Sequence, residues 1–182
     1  MIVETEKQLL FEIKNGERGA QRRLYERFAG YLMAVCLRYL TDREAAEDVL
    51  QDCFVKILTA VNHFEYRGEG SLKAWMTRVV VNESLSYLKR NERFTLSDEI
   101  PDEVEEEAPD IGTVPLELMQ RLIEELPTGY RAVFNLYVFE QLSHKEIAEE
   151  LGIKEKSSSS QFLRARMILA KKIKDYIKQQ TK

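Results

Sequence analysis

Between Tyr66 and Arg93 the chain reads YRGEGSLKAWMTRVVVNESLSYLKRNER, and these residue types suit one kind of chemistry, the holding of nucleic acid whose bases have come unpaired. Tyr66, in a glycine-bearing loop, offers a ring on which an extruded base can stack. Arg67, Lys73, Arg78, Lys89 and Arg90 offer cations to phosphates, and Ser71 and Asn82 offer hydrogen bonds to backbone or base edges. The stretch is expected to open a duplex for another enzyme to use.

Covalent chemistry finds no comparable support, because nothing brings a nucleophile, a base and an orienting group into one pattern. His63 and His144 lie far from each other and from any CxxC pair, so a zinc site has nothing to build on. Cys36 and Cys53 both fall in apolar helical patterns, where a thiol acts as a small hydrophobe, with a redox role as the alternative. The chain is expected not to be an enzyme and to need neither cofactor nor metal.

A second set of binding residues lies near the C-terminus. Ser143-His-Lys-Glu146 is a capping box, in which hydroxyl and carboxylate each satisfy an orphan backbone N–H. Ile147, Ala148 and Leu151 follow at helical spacing, Gly152 marks a turn, and a longer basic helix runs from about Glu155 to Lys178. That order is a helix-turn-helix. Its second helix presents Lys156, Ser157, Ser158, Ser159, Ser160 and Gln161 in its first turns, then Arg164 and Arg166. Short polar side chains there suit phosphates and base edges in a major groove; a flexible serine spacer is the competing reading. Phe162, Leu163, Ile168, Leu169 and Ile173 remain available to pack.

These sites need helices to carry them. Leu9, Leu10 and Ile13 predict a short amphipathic helix over Val3–Asn15, closed by Gly16. Leu24, Phe28, Tyr31, Leu32, Val35 and Tyr39 predict a second over Arg18–Leu40. Thr41-Asp-Arg-Glu44 reads as a capping box that starts a third, with Ala45, Val49, Cys53, Phe54 and Ile57 inside and Glu47, Asp48, Gln51 and Asp52 outside. That acidic side is either solvated or a docking face for a basic partner helix. Ser71 is expected to N-cap the fourth helix, whose buried side would hold Trp75, Met76, Val79, Leu85 and Leu88. Leu116–Leu126 and Thr128–Glu140 predict two further helices divided by Pro127, the latter turning Val133, Phe134, Leu136 and Tyr137 inward.

Of the 182 residues, 44% are hydrophobic and 32% charged, with 8 Gly and 4 Pro, a composition that suits a mostly helical protein of one or two small domains. The net charge of -4 and pI near 5.4 conceal an uneven distribution. Phe94–Pro115 contains many Asp and Glu, three of the four prolines and no Lys or Arg, so the flanking parts are net basic together. This segment reads as an acidic linker, 94–115, between domains at 1–93 and 116–182. No apolar run approaches the roughly 20 residues that cross a bilayer, and Glu4 and Glu6 do not suit a signal peptide, so a cytoplasmic chain without direct membrane insertion is expected.

The chain resembles the extracytoplasmic-function sigma factors of bacterial RNA polymerase over nearly its whole length. AAEDVLQDCFVKIL, Ala45 to Leu58, is similar to the family's polymerase-binding helix, and GSLKAWMTRVVVNESLSYLKR, Gly70 to Arg90, to its promoter-melting segment. LPTGYRAVFNLYVFEQLSHKEIAEELGI, Leu126 to Ile153, with QFLRAR after it, is similar to the C-terminal helix-turn-helix. The resemblance implies an all-α chain of two small helical domains, an N-terminal sigma region 2 bundle and a C-terminal sigma region 4. Core RNA polymerase would be the partner, through its beta-prime clamp helices against Asp48, Gln51 and Asp52 and through its beta flap. Promoter DNA would be the other. The loop Glu65–Ser71 and Asn82 would capture a flipped base of the -10 element, and the C-terminal helix would read the -35 element. An anti-sigma factor is implied as an inhibitor. Val81 stands where the family often has Arg or a similar residue before the asparagine, Ser86 where an Asp often follows, and Ser159 and Gln161 where Lys and Arg are frequent. Two other classes fit parts of the pattern: a dimeric helix-turn-helix regulator binding operators, and an interaction adaptor without a need for basic helices.

Overall fold

Apolar residues at three- and four-residue steps form helices throughout, and the computed structural model, which describes residues 4–91 and 114–180, holds no strand among them. The chain divides into two units, Met1–Glu92 and Arg93–Lys182. The expected linker lies, up to residue 113, outside the described residues. Val114 packs against the core of the second unit, and Pro115 is the N-cap of its first helix.

In the first unit α1 (Glu6–Lys14), α2 (Ala20–Tyr39), α3 (Arg43–Ala60) and α4 (Ser71–Asn91) are joined by short connections, with a 3-10 turn at Val61–His63 after α3. Helices α2, α3 and α4 each pack on the other two, and α1 lies against α2 and the 3-10 turn. Leu24, Leu32 and Val35, Ala46 and Ile57, and Leu72, Met76, Val80 and Leu88 are removed from solvent altogether. Each large side chain so buried contributes about 1.5–3 kcal/mol relative to exposure. The Lys56 ammonium meets the Glu83 carboxylate at 2.6 Å between α3 and α4.

Two local expectations, the cap of α3 and the buried side of α4, are corrected by the structure. The N-cap of α3 is Asp42, whose carboxylate accepts from the backbone of Glu44 and Ala45, so Thr41 lies one residue outside the helix. A carboxylate caps at least as well as a hydroxyl and adds charge favourable to the helix dipole. The buried stripe of α4 runs through Leu72, Met76, Val80, Val81, Leu85 and Leu88; Trp75 and Val79 stay half-exposed at its margin. Trp75 packs its ring on Phe64 at 4.9 Å. Val81 is wholly buried, which accounts for an aliphatic side chain at that position.

Cys36 and Cys53 are fully buried free thiols. Burial pushes the Cys36 thiol up to about 11, with Ser84 opposing, and burial followed by the neighbouring Cys36 pushes Cys53 up to about 12. At pH 8 a thiol so raised is about one part in a thousand thiolate or less. An aromatic disulfide reagent is therefore expected to titrate neither thiol in the folded chain within minutes and both in denaturant; rapid native reaction would contradict the inert packing role.

In the second unit α5 (Leu116–Glu124), α6 (Thr128–Val138), α7 (His144–Leu151) and α8 (Glu155–Gln180) follow one another. Leu122, Ile123 and Leu126 meet Ala165, Leu169 and Ile173 of α8, while Val133, Leu136, Ile147 and Leu151 are buried where α6, α7 and α8 converge. Arg131 is 4% exposed and donates from Nη1 to the carbonyls of Glu124 and Leu126, both at 3.0 Å, closing the C-terminal end of α5. Ser143 and Glu146 form the capping box of α7, and Gly152 ends it at φ 70°, in the left-handed region where glycine carries no side-chain penalty.

Candidate nucleic-acid interface

The loop before α4 is built by two glycines and by groups far away in sequence. Gly68 and Gly70 stand at φ 125° and 86°, conformations that other residues rarely adopt. The Ser71 hydroxyl donates to the Gly68 carbonyl at 2.6 Å and accepts from the Arg67 N–H at 3.2 Å. Ser71 is thus the first residue of α4 and not its cap. The helix start is satisfied by Glu6 of α1, 3% exposed, whose carboxylate accepts from the backbone of Gly70 at 2.9 Å, Leu72 at 3.1 Å and Lys73 at 3.3 Å. Lys14, at the other end of α1, donates to the Phe64 carbonyl at 2.8 Å.

Tyr66 is half-buried and donates from its hydroxyl to Glu69 Oε2 at 3.2 Å; desolvation first, then that carboxylate, push its phenol above the ordinary value. Glu69 also faces the Arg27 guanidinium at 3.7 Å. Arg67 is well exposed beside Glu65.

Along α4, Ser71, Trp75, Arg78, Asn82 and Lys89 recur at steps that place them on one side of the helix, the first four half-exposed and Lys89 exposed. Asn82 is eleven residues beyond Ser71, about 16 Å along α4 at about 1.5 Å per residue. Asn82 Oδ1 is sequestered and accepts no hydrogen bond, while its carbonyl accepts from Ser86 at 2.8 Å. Arg90 is exposed near the helix end. Lys73 departs from this row: its ammonium sits 3.9 Å above the Tyr31 ring of α2.

On α3, Asp48, Gln51 and Asp52 are all exposed on one side. Gln51 also lines an open groove between α2 and α3 with Tyr25, Met33, Arg43, Glu47 and Leu50. Tyr25 is 51% exposed and rests on Phe54 at 4.7 Å. Glu47 is engaged by Arg43 at 2.9 Å.

The second unit holds the helix-turn-helix as α7, Gly152 and α8, but most of the residues expected to read DNA face inward. Ser158 and Gln161 are wholly buried and Ser157 and Ser160 nearly so, because the first turns of α8 pack against α6 and α7. Ser158 Oγ lies 3.0 Å from His144 Nδ1, and Ser160 Oγ donates to the Lys156 carbonyl at 2.9 Å. Burial holds the His144 imidazole below its ordinary value, against the pull of Glu155. Arg164 donates to the Tyr130 hydroxyl at 3.2 Å and is turned into the fold. Lys156, Ser159, Leu163 and Arg166 remain on the outer side of α8. Tyr137, expected inside, is 39% exposed and stacks with His144 at 4.8 Å and packs on Phe162 at 4.3 Å.

Glu6, Lys14 and Arg27 are site residues that sequence reasoning misses. Their contacts span some forty to seventy residues, and no local periodicity signals such a pairing.

A basic helix behind an anchored loop in one unit, and a helix-turn-helix in the other, define a modular DNA-binding protein. Family models agree with both halves: sigma-70 region 2 matches residues 24–94 and sigma-70 region 4 matches residues 116–169. The RNA polymerase sigma-H factor of Pseudomonas aeruginosa is 24% identical, with 97% of each chain covered. The ECF RNA polymerase sigma-E factor of Haemophilus influenzae is 26% identical over 93% of this chain and 95% of its own. Among solved structures, the sigma factor RpoE of Bartonella quintana, in complex with the anti-sigma factor NepR, shares the fold at a TM-score of 0.51 and 23% identity, covering 86% of this chain and 98% of that one. The chain belongs to the extracytoplasmic-function sigma factors of the sigma-70 family. Its function is that of a sigma factor, which binds core RNA polymerase and directs promoter-specific initiation. No described helix is long and apolar enough to cross a membrane.

Proposed function

We propose that residues 1–93 bind core polymerase and open the -10 element, and that residues 116–182 bind the -35 element, joined by the acidic segment 94–115. Asp48, Gln51 and Asp52, with the groove beside them, meet the beta-prime clamp helices; the second unit meets the beta flap. The anchored loop with Tyr66 and Arg67 takes the extruded base, and Arg78, Asn82, Lys89 and Arg90 hold the adjoining backbone. On α8, Lys156, Ser159 and Arg166 face DNA. The protein acts in the cytoplasm, contributes no chemistry of its own, and is held in check by an anti-sigma factor, as the Bartonella relative is found with one.

The observation that carries this reading is the loop: its peptide groups are tied down at both ends while Arg67 stays open to solvent and Tyr66 half-open. The test is transcription from a randomised promoter library by core polymerase with and without the purified chain. Enrichment of a paired -35 and -10 motif supports it; tight operator binding by the chain alone, with no effect on core, overturns it. Arg166→Ala is expected to weaken binding to all recovered promoters alike and to reduce the salt slope by about one.

A further inference from the structure

We propose that α1 is a clamp that sets the base-capturing loop, with Glu6 and Lys14 as its positioning residues; this rests on the function proposed above. The N-terminus of α4 has no local cap. Gly70 lacks a side chain, and the Ser71 hydroxyl is spent inside the loop on Gly68 and Arg67. Three backbone N–H groups at that end turn to one carboxylate from the first turn of α1. Helix α1 does not itself need Glu6, because Thr5 and Gln8 form its capping box.

A carboxylate that is 3% exposed is costly to hold, and here the positive end of α4 and three charge-assisted hydrogen bonds offset that cost. A serine at the cap position would satisfy the helix locally. The remote carboxylate does something a local cap cannot: it ties the loop to another helix. Lys14 fixes the opposite end of the same segment at the Phe64 carbonyl, one α1 length away. Between these two anchors lie Tyr66 and Arg67, with Glu69 steadied by Arg27. The contacts fall on the ends of the loop, so their removal is felt first in where Tyr66 and Arg67 stand.

The experiment uses the full chain assembled with core polymerase on the strongest promoter from the randomised library. Glu6→Gln loses the charge and turns an amide N–H₂ toward one of the backbone donors; Lys14→Met loses the lateral anchor and leaves the helix start intact. Both holoenzymes are expected to show about ten-fold fewer permanganate-reactive thymines on duplex promoter, with core binding and -35 duplex binding within about two-fold of wild type. Lys14→Arg should restore opening. Opening at the wild-type level in both variants overturns the clamp, as does loss of core binding in step with opening, which marks a purely structural role. Lys14→Met carries the test if Glu6→Gln fails to fold. A wild-type chain that opens no template overturns the underlying function as well, and is told apart by needing no variant.

Discussion

Gln161→Lys is expected to unfold the second unit while leaving the first one folded. Gln161 has no exposed surface and lies on the inward stripe of α8 with Ser157, Ala165, Leu169 and Ile173. An ammonium placed there must shed its hydration inside the packed helices or surrender its proton. Leaving such a group unpaired costs about 3–5 kcal/mol, a large share of the stability of a small helical unit. In urea, followed by circular dichroism, the full chain should lose about half of its cooperative helical signal at low denaturant. Ser159→Lys, two residues away but on the outer side, should stay within about 0.5 kcal/mol of wild type. A Gln161→Lys chain with unchanged stability and stronger DNA binding would mean that this face of α8 points to solvent.

The second large effect concerns Asp48 and Asp52. Reversing both to Lys puts two positive charges, one helical turn apart, where the proposed partner presents basic residues. Each like-charge contact costs several kcal/mol at an interface that excludes water, so core-polymerase affinity should fall by at least about 100-fold, near 2.7 kcal/mol. Both side chains are exposed and lie outside the packed stripe of α3, so helix content and melting should not change. Asp48→Asn with Asp52→Asn should fall between, with a weaker dependence on salt. Binding titrated by fluorescence anisotropy reads all three chains. Unaltered affinity in the double Lys variant would return this face to the solvent.

The helices, their order and the capping box at Ser143 are legible in the sequence, because apolar spacing and short-range caps are properties of neighbouring residues. Asp42 displaces Thr41 as a cap because two good capping residues stand side by side and only packing chooses between them. The serines of α8 mislead through their polarity. Small side chains let helices approach closely, and Ser157, Gln161, Ala165, Leu169 and Ile173 keep a four-residue step that extends the apolar stripe back to the turn. Read by period instead of polarity, they belong to the interior. The Glu6 contact with the start of α4 has no such trace, since it depends on how a whole bundle closes.

The shared core of α3 and α4, with Lys56 and Glu83 joined across it, has a further consequence. Helices so packed keep their axes about 8–10 Å apart and resist sliding, since interiors are packed as densely as organic crystals. The proposed polymerase-facing residues sit on one of these helices and the proposed DNA-facing residues on the other. On that proposal the pair behaves as a ruler: the distance from the polymerase to the DNA backbone held along α4 is a helix-packing spacing, constant from one promoter to the next.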